Sequence, residues 1–161
     1  MDDSLISALR ARTSTIRDRW EALLRVENVS GPLANPDTLI YLISSSIDQV
    51  LASLARPIRK PVSLGTARAL SRPACRCGCN PYLAYFIAGE QALLEVFVQT
   101  QSETIDLTNR EADLAAFFVA VRKLATREIE AFCEICTHRC ATKGCRFGVA
   151  AEGTCKLASP S

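Results

Sequence analysis

The chain has 161 residues, of which 48% are hydrophobic and 22% are charged, and its formal net charge is +2. A chain of this length fits one domain that buries a sufficient core without cross-links, and the small charge gives no sign of polyanion binding. The N-terminal sequence MDDSLISALRARTS lacks the basic start and apolar core of a secretory signal, so we expect a cytoplasmic protein.

Helical periodicity predicts a first helix from about Ser4 to Glu27, and Gly31 and Pro32 then break the pattern. A second helix is predicted after Asn35, because proline is favoured in the first turn of a helix, and it stops before Pro57. Its apolar stripe consists of Ile40, Ile43, Ile47, Val50 and Leu54.

Residues 57–79 form the longest irregular stretch, with a short helical turn expected near Ala67. A third helix is predicted from Asn80, a favourable N-cap followed by Pro81, to about Ser102. A fourth helix is predicted to start near Arg110, with an apolar stripe formed by Leu114, Phe118, Val121, Ala125, Ile129 and Phe132. No uninterrupted apolar run approaches the roughly 20 residues of a membrane span, so we expect no membrane insertion.

These elements predict an all-α, four-helix bundle-like single domain in which the third and fourth helices form an antiparallel hairpin and Trp20 is packed inside. The helical domain is expected to cover residues 1–140 with a cysteine-rich insertion at 57–80, and residues 141–161 to form a loosely ordered tail. A helical pair that completes its bundle as a homodimer is the alternative architecture.

Eight cysteines without a secretory signal indicate metal binding or redox chemistry, because the cytosol keeps ordinary disulfides reduced. They fall into two main clusters and two later positions. The first cluster, CRCGC, contains Cys75, Cys77 and Cys79; the second, CEICTHRC, contains Cys133, Cys136 and Cys140; Cys145 and Cys155 follow. The single histidine, His138, excludes an HExxH zinc site, a bis-histidine haem and paired ExxH di-iron motifs.

The two clusters are predicted to meet at one end of the hairpin. The chain between Cys79 and Cys133 has its midpoint at residue 106, inside the predicted turn, so the start of the third helix lies beside the end of the fourth. At about 100° per residue, Cys133, Cys136 and Cys140 share one face of the fourth helix, whereas His138 lies opposite. We therefore predict a metal site formed by Cys75, Cys77, Cys79, Cys133, Cys136 and Cys140.

Zinc is the metal we expect, because tetrahedral thiolate sites are its usual structural ligand set. An iron–sulfur cluster and copper(I) are the alternatives. The dipole at the start of the third helix, together with Arg72, Arg76 and Arg139, would compensate thiolate charge. The competing interpretation is that the cysteines only fill core gaps, and for Cys145 and Cys155 we favour spare thiols in the tail.

Two acidic residues, Glu90 and Glu128, interrupt the apolar faces of the third and fourth helices. They could perform acid–base work or bind a second cation. We favour pairing with an arginine, such as Arg17 or Arg122, or with a tyrosine hydroxyl across the bundle, because buried carboxylates normally persist by pairing.

Functionally, the sequence predicts a metal-binding regulatory or partner-binding module rather than an enzyme, since no residue set indicates a substrate cleft. A thiol-redox switch or an iron–sulfur electron carrier is the alternative. We expect a protein partner rather than nucleic acid, because the basic stretch from Arg56 to Arg76 has no aromatic residue to stack on a base. With CGCNPYLAYFIAGEQALLE and EIEAFCEICTHRC flanking the hairpin, the arrangement is similar in outline to bacterial helical sensor and anti-sigma modules that hold zinc, a fold-level analogy only.

Overall fold

The computed structural model describes residues 2–27, 32–56, 62–69, 80–103, 109–143, 147–149 and 155–157 of the chain. At Pro32 and beyond Ile135 it describes the backbone alone. The described helices are α1 (Asp3–Ala11), α2 (Thr13–Val26), α3 (Pro36–Leu39), α4 (Ile43–Leu54), α5 (Leu64–Ala69), α6 (Tyr82–Glu103) and α7 (Arg110–Lys143), with 3₁₀ turns at Pro32–Ala34 and Ile40–Leu42. The fold is therefore all-α, as the sequence predicts.

The predicted first helix is two helices, because the chain breaks at Arg12, whose φ and ψ are −105° and 14°. The Arg12 amide donates to the Leu9 carbonyl, and the Thr13 hydroxyl donates to the Arg10 carbonyl. The predicted second helix also differs, since the 3₁₀ turn at Ile40–Leu42 separates α3 from α4. Its N-cap is confirmed, as the Asn35 side chain accepts from the Asp37 amide.

Four helices, α2, α4, α7 and α6, pack in a closed ring in that order. Helix α2 runs antiparallel to α6, because Arg12 pairs with Glu103 at one end and Trp20 donates to the Tyr85 carbonyl towards the other. The end of α2 meets the start of α3, where Arg25 bonds Asp37 at 2.8 Å, so the run from α3 through α4 turns back along α2. Each neighbour in the ring is thus antiparallel to the next.

The order of helices in this ring determines the path of the connection between α4 and α6. The two helices lie diagonally opposite and run in the same direction, so the chain must return along the length of the bundle before α6 begins. Helix α5 is part of this return and packs on α7. The predicted helical turn near Ala67 is confirmed as α5, and Ala67 itself is fully buried.

Trp20 lies at the centre of the core, with no exposed surface, which confirms its predicted place. Its indole N–H donates to the Tyr85 carbonyl at 2.9 Å, and its ring centroid lies 4.8 Å from that of Tyr85. Gly89 brings the backbone of α6 against the indole ring, where a Cβ atom would lie 2.6 Å from Cη2. The tightest approach of α2 and α6 therefore depends on a glycine.

Near the C-terminus, Phe147–Val149 and Cys155–Leu157 pair as two antiparallel strands, with Gly148 opposite Lys156. The sequence does not predict these strands, since three residues are too few for an alternating pattern to stand out. Helix α7 also continues three residues beyond Cys140, to Lys143, so the predicted boundary at 140 falls within its last turn.

Candidate metal centre

Contacts between α6 and α7 confirm the predicted antiparallel hairpin. Near the turn, the Gln101 side chain donates to the Arg110 carbonyl at 3.4 Å. At the opposite end, the Asn80 side-chain amide donates to the Ile129 carbonyl at 3.0 Å. The start of α6 therefore lies beside Ile129 in the second half of α7, which agrees with the residue count about position 106.

Asn80 joins the end of the cysteine-rich segment to α7. Its Oδ1 accepts from the Tyr82 amide at 2.9 Å, which caps α6, while its Nδ2 lies 3.6 Å from the sulfur of Cys133. The side chain is buried, with an exposed fraction of 2%. Cys79, which directly precedes Asn80 in the sequence, lies outside the described residues.

Cys133 is the one predicted ligand whose side chain is described. It is a free, half-buried thiol that packs against the core. The Asn80 side-chain amide is the hydrogen-bond donor to this sulfur.

The other predicted ligands fall wholly or partly outside the described residues. Cys136 and Cys140 lie in α7, as does His138, but their side chains are not described. Cys75, Cys77, Cys79 and Cys145 lie outside the described residues, and Cys155 is described only as strand backbone. Among the described side chains, no three or more of His, Cys, Asp or Glu are grouped as metal ligands would be.

Glu90 is paired, as predicted, with Arg122. The guanidinium Nε and one terminal nitrogen each lie 3.2 Å from a Glu90 oxygen, and both side chains are nearly buried, at 12% and 10% exposed. The other terminal nitrogen donates to the carbonyls of Ala67 at 3.2 Å and Arg68 at 2.7 Å. Arg122 therefore ties α5 to both helices of the hairpin.

A small cleft of about 40 Å³ adjoins this ion pair. It is lined by Leu83, Phe86, Ile87, Glu90, Arg122, Ala125 and Ile129. Ile87 stands at the cleft, 45% exposed. The cleft is mainly apolar, with a single charged pair at one side.

Glu128 has a different environment from Glu90. Its side chain is 34% exposed and lies 2.5 Å from its neighbour Arg127, which also donates to the Gln49 side chain. Arg17, the other arginine proposed as a partner, lies beside Asp18 instead. The carboxylates at positions 90 and 128 thus each have an arginine close by, and Glu90 is the less exposed of the two.

Tyr85 is the buried hydroxyl of the core. It is fully buried, and its Oη lies 2.9 Å from the Ser46 Oγ. Burial raises the pKa of Tyr85 well above its ordinary value, and the hydrogen bond with Ser46 offsets only part of that rise. The phenol therefore acts as a neutral hydrogen-bonding group.

Asn80 was predictable from the sequence as a helix cap, but its contact with the Cys133 sulfur was not predicted. The signal available was its position, directly after the last cysteine of CRCGC and on the predicted level of Cys133. The hydrogen bonds from Arg122 to the α5 carbonyls were not predicted either, since periodicity gives no information on how a short helix docks.

The described helices include none that is both long enough and apolar enough to cross a membrane.

No family model matches the chain, and searches of curated proteins and of solved structures likewise yield no significant match.

Proposed function

We propose that this protein is a zinc–thiolate helical module with a regulatory or partner-binding role in the cytoplasm. The observation that carries the proposal is the 3.6 Å approach of Asn80 Nδ2 to the Cys133 sulfur. It supports a meeting of the two cysteine clusters, because Asn80 follows Cys79 immediately in the chain.

The ligands proposed are at least two of Cys75, Cys77 and Cys79 together with Cys133 and Cys136, with Cys140 as a further or exchangeable ligand. Four thiolates complete a tetrahedral zinc site. Such a site carries net negative charge, which the positive end of the α6 dipole would offset. The Asn80 amide would donate to a bound sulfur and fix its orientation.

Docking of α5 supports a role for this site in fixing the segment between α4 and α6. The segment is held at α5 by Arg122 and at its end by Asn80, and both contacts are to the hairpin. Metal bound between these anchors would fix residues 57–80 against the bundle, since structural zinc sites contribute their binding energy to folding. The fixed segment would then present a surface to a protein partner.

Exposed apolar side chains elsewhere are compatible with a partner surface. Val26, Leu33 and Tyr41 are 79%, 65% and 81% exposed, respectively, and all three belong to the helical region from the end of α2 to the turn before α4. A protein partner or a second copy would bury such side chains. Sedimentation at several concentrations distinguishes a homodimer from a monomer that binds a different protein.

The alternative is a redox protein, favoured by the CxxC and CxCxC spacings at positions 133–136 and 75–79. Oxidation of such cysteines releases zinc, and an iron–sulfur cluster would carry electrons instead. Spectra separate the three cases. Visible absorption that bleaches on reduction indicates iron–sulfur, zinc loss with peroxide indicates a switch, and peroxide-resistant zinc indicates the structural module.

The decisive experiment is metal analysis of the full chain purified without added metal. We expect about one zinc per chain in a single tetrahedral site. Cys133→Ser and Cys136→Ser should each lower the zinc content strongly, whereas the control His138→Ala should leave it unchanged. A parent protein without stoichiometric metal, in which all eight thiols react freely under native conditions, would refute the site and favour the redox alternative.

A further inference from the structure

The four most exposed large apolar side chains among the described residues all lie at one end of the helical ring. They are Val26, Leu33, Tyr41 and Ile135, which are 79%, 65%, 81% and 59% exposed. We name this the Cys133 end, and it comprises residues 21–27, 32–42, 80–84 and 130–135. Single exposed apolar side chains are ordinary, but four at one end of a fold indicate a contact surface.

Contacts between helices bring these residues to the same end. Helix α2 ends beside the start of α6, because the two helices run antiparallel. The bond from Arg25 to Asp37 brings the end of α2 to the start of the run from α3 to α4. Asn80, just before α6, bonds the Ile129 carbonyl, so Ile135 lies farther along α7 at this end.

The charged side chains at the Cys133 end are mainly acidic. Those described are five carboxylates and one guanidinium: Glu21, Arg25, Glu27, Asp37, Glu130 and Glu134. The guanidinium is already bonded to two of the carboxylates. Glu27, Glu130 and Glu134 are exposed and make no ion pair within the described part of the chain. This end is therefore acidic, although the whole chain has a formal net charge of +2.

From this combination we propose that the Cys133 end binds an amphipathic helix with a basic polar face. The inference rests on the partner-binding role proposed above and specifies the chemistry of the partner. Glu27 directly follows Val26, and Glu134 directly precedes Ile135, so carboxylates stand next to apolar side chains in the chain. The apolar face of a partner helix would bury those side chains, and lysines or arginines beside it would pair with the carboxylates. A second copy in a two-fold contact would instead bring the same carboxylates together.

Titration of the full chain with a synthetic peptide tests this surface. The probe is a leucine–lysine peptide of about 18 residues, or about five turns of amphipathic helix, and the control peptide has glutamate in place of lysine. At low salt the lysine peptide should bind at least about tenfold more tightly than the glutamate peptide. Its affinity should fall about tenfold between about 0.02 M and about 0.5 M NaCl, because salt screens exposed charges. Equal affinity for the two peptides would overturn the proposal.

Apolar variants locate the surface. Val26→Ser and Tyr41→Ser together should weaken binding of the lysine peptide about tenfold, because they remove the two most exposed apolar side chains. Val98→Ser is the matched control, since Val98 is 47% exposed and lies towards the other end of α6. It should change the affinity by less than about twofold. Equal losses in the two proteins would show adsorption without a defined site and would refute the surface.

Charge reversal tests the carboxylates separately. Glu130→Lys and Glu134→Lys together should weaken the lysine peptide about tenfold and strengthen the glutamate peptide. Glu111→Lys, an exposed position in the first turn of α7, should do neither. An unchanged preference in the double variant would contradict the proposed role of the acidic residues.

Sedimentation and metal analysis of the same samples separate the remaining outcomes. Dimerisation that Val26→Ser and Tyr41→Ser abolish would assign the surface to a second copy and overturn the proposal. Selective binding of the lysine peptide by protein without stoichiometric zinc would support the surface while refuting the metal site. Zinc-loaded protein that binds neither peptide would refute the surface and leave the metal site standing.

Discussion

Gly89→Ala tests the closest packing in the core, where the α6 backbone meets Trp20. The added Cβ would lie 2.6 Å from Cη2 and closer still to Cζ2 and Cε2, whereas carbon atoms pack favourably at about 3.5–4.0 Å. The ring would have to move by about 1 Å. It has no free space to do so, since it is fully buried and its N–H is bonded to the Tyr85 carbonyl.

Overpacking of this kind costs about 1–3 kcal/mol and occasionally more, and alanine returns about 1 kcal/mol through its better helix propensity. A clash with a rigid aromatic ring belongs at the upper end, so we expect a net loss of about 2 kcal/mol of stability. For a chain of this size the melting temperature should fall by about 4–8 °C.

Thermal and urea unfolding measure the effect, and Gly65→Ala is the matched control. Among the described residues, a Cβ on Gly65 meets the Ser63 hydroxyl alone, at 4.0 Å, so this variant should be neutral or slightly stabilising. In a Trp20→Leu background, Gly89→Ala should cost less stability than in the parent protein, because the smaller leucine leaves room for the added Cβ. If Gly89→Ala is as stable as the parent, the proposed packing of Trp20 against α6 is wrong.

Asn80→Ala should cost about 2–3 kcal/mol in urea unfolding, because it removes a cap and leaves the Ile129 carbonyl without this donor; Asn35→Ala, which removes only an exposed cap, should cost about 1 kcal/mol. Arg122→Met should cost about 3–5 kcal/mol by removing the cation that faces Glu90, whereas the double variant with Glu90→Leu should recover much of the loss; additive penalties would contradict the pairing. Because burial raises the pKa of Tyr85, the folded state keeps its proton above pH about 10 while the unfolded state loses it, so stability should fall by up to about 1.4 kcal/mol per pH unit in that range; Tyr85→Phe should remove this slope.

The sequence predicted the long elements well, because each long helix needs an apolar stripe to bury. The stripe of the second helix, including Ile43, Ile47 and Val50, is buried as expected, and Asn35 and Asn80 cap helices as their types suggest. The break at Arg12 was not predictable from periodicity. Leu9 and Ile16 are seven residues apart and both buried, so their spacing suits one continuous helix as well as two.

The site was predictable only as far as the hairpin determines it. A residue count about the turn is enough to place Asn80 beside Cys133, since rise per residue is the same in both helices. The count cannot show which cysteines are ligands, because the sequence CRCGC carries no helical periodicity from which the direction of its side chains could be predicted. The contact between Arg122 and α5 was likewise not predictable. Its acceptors are backbone carbonyls, which have no sequence signature.

The unequal lengths of the two hairpin helices have a consequence for spectroscopy. Helix α7 has 34 residues and α6 has 22, and the ring of Tyr82, the first residue of α6, packs edge-on against Phe132 at 6.1 Å. The part of α7 beyond Phe132 is therefore an arm of about three turns that extends past the first residue of α6. Isolated helices of that length are marginal in water. The helicity of this arm can be followed by circular dichroism or by an NMR probe at Ile135. It should increase when a metal or a protein partner binds at this end of the hairpin.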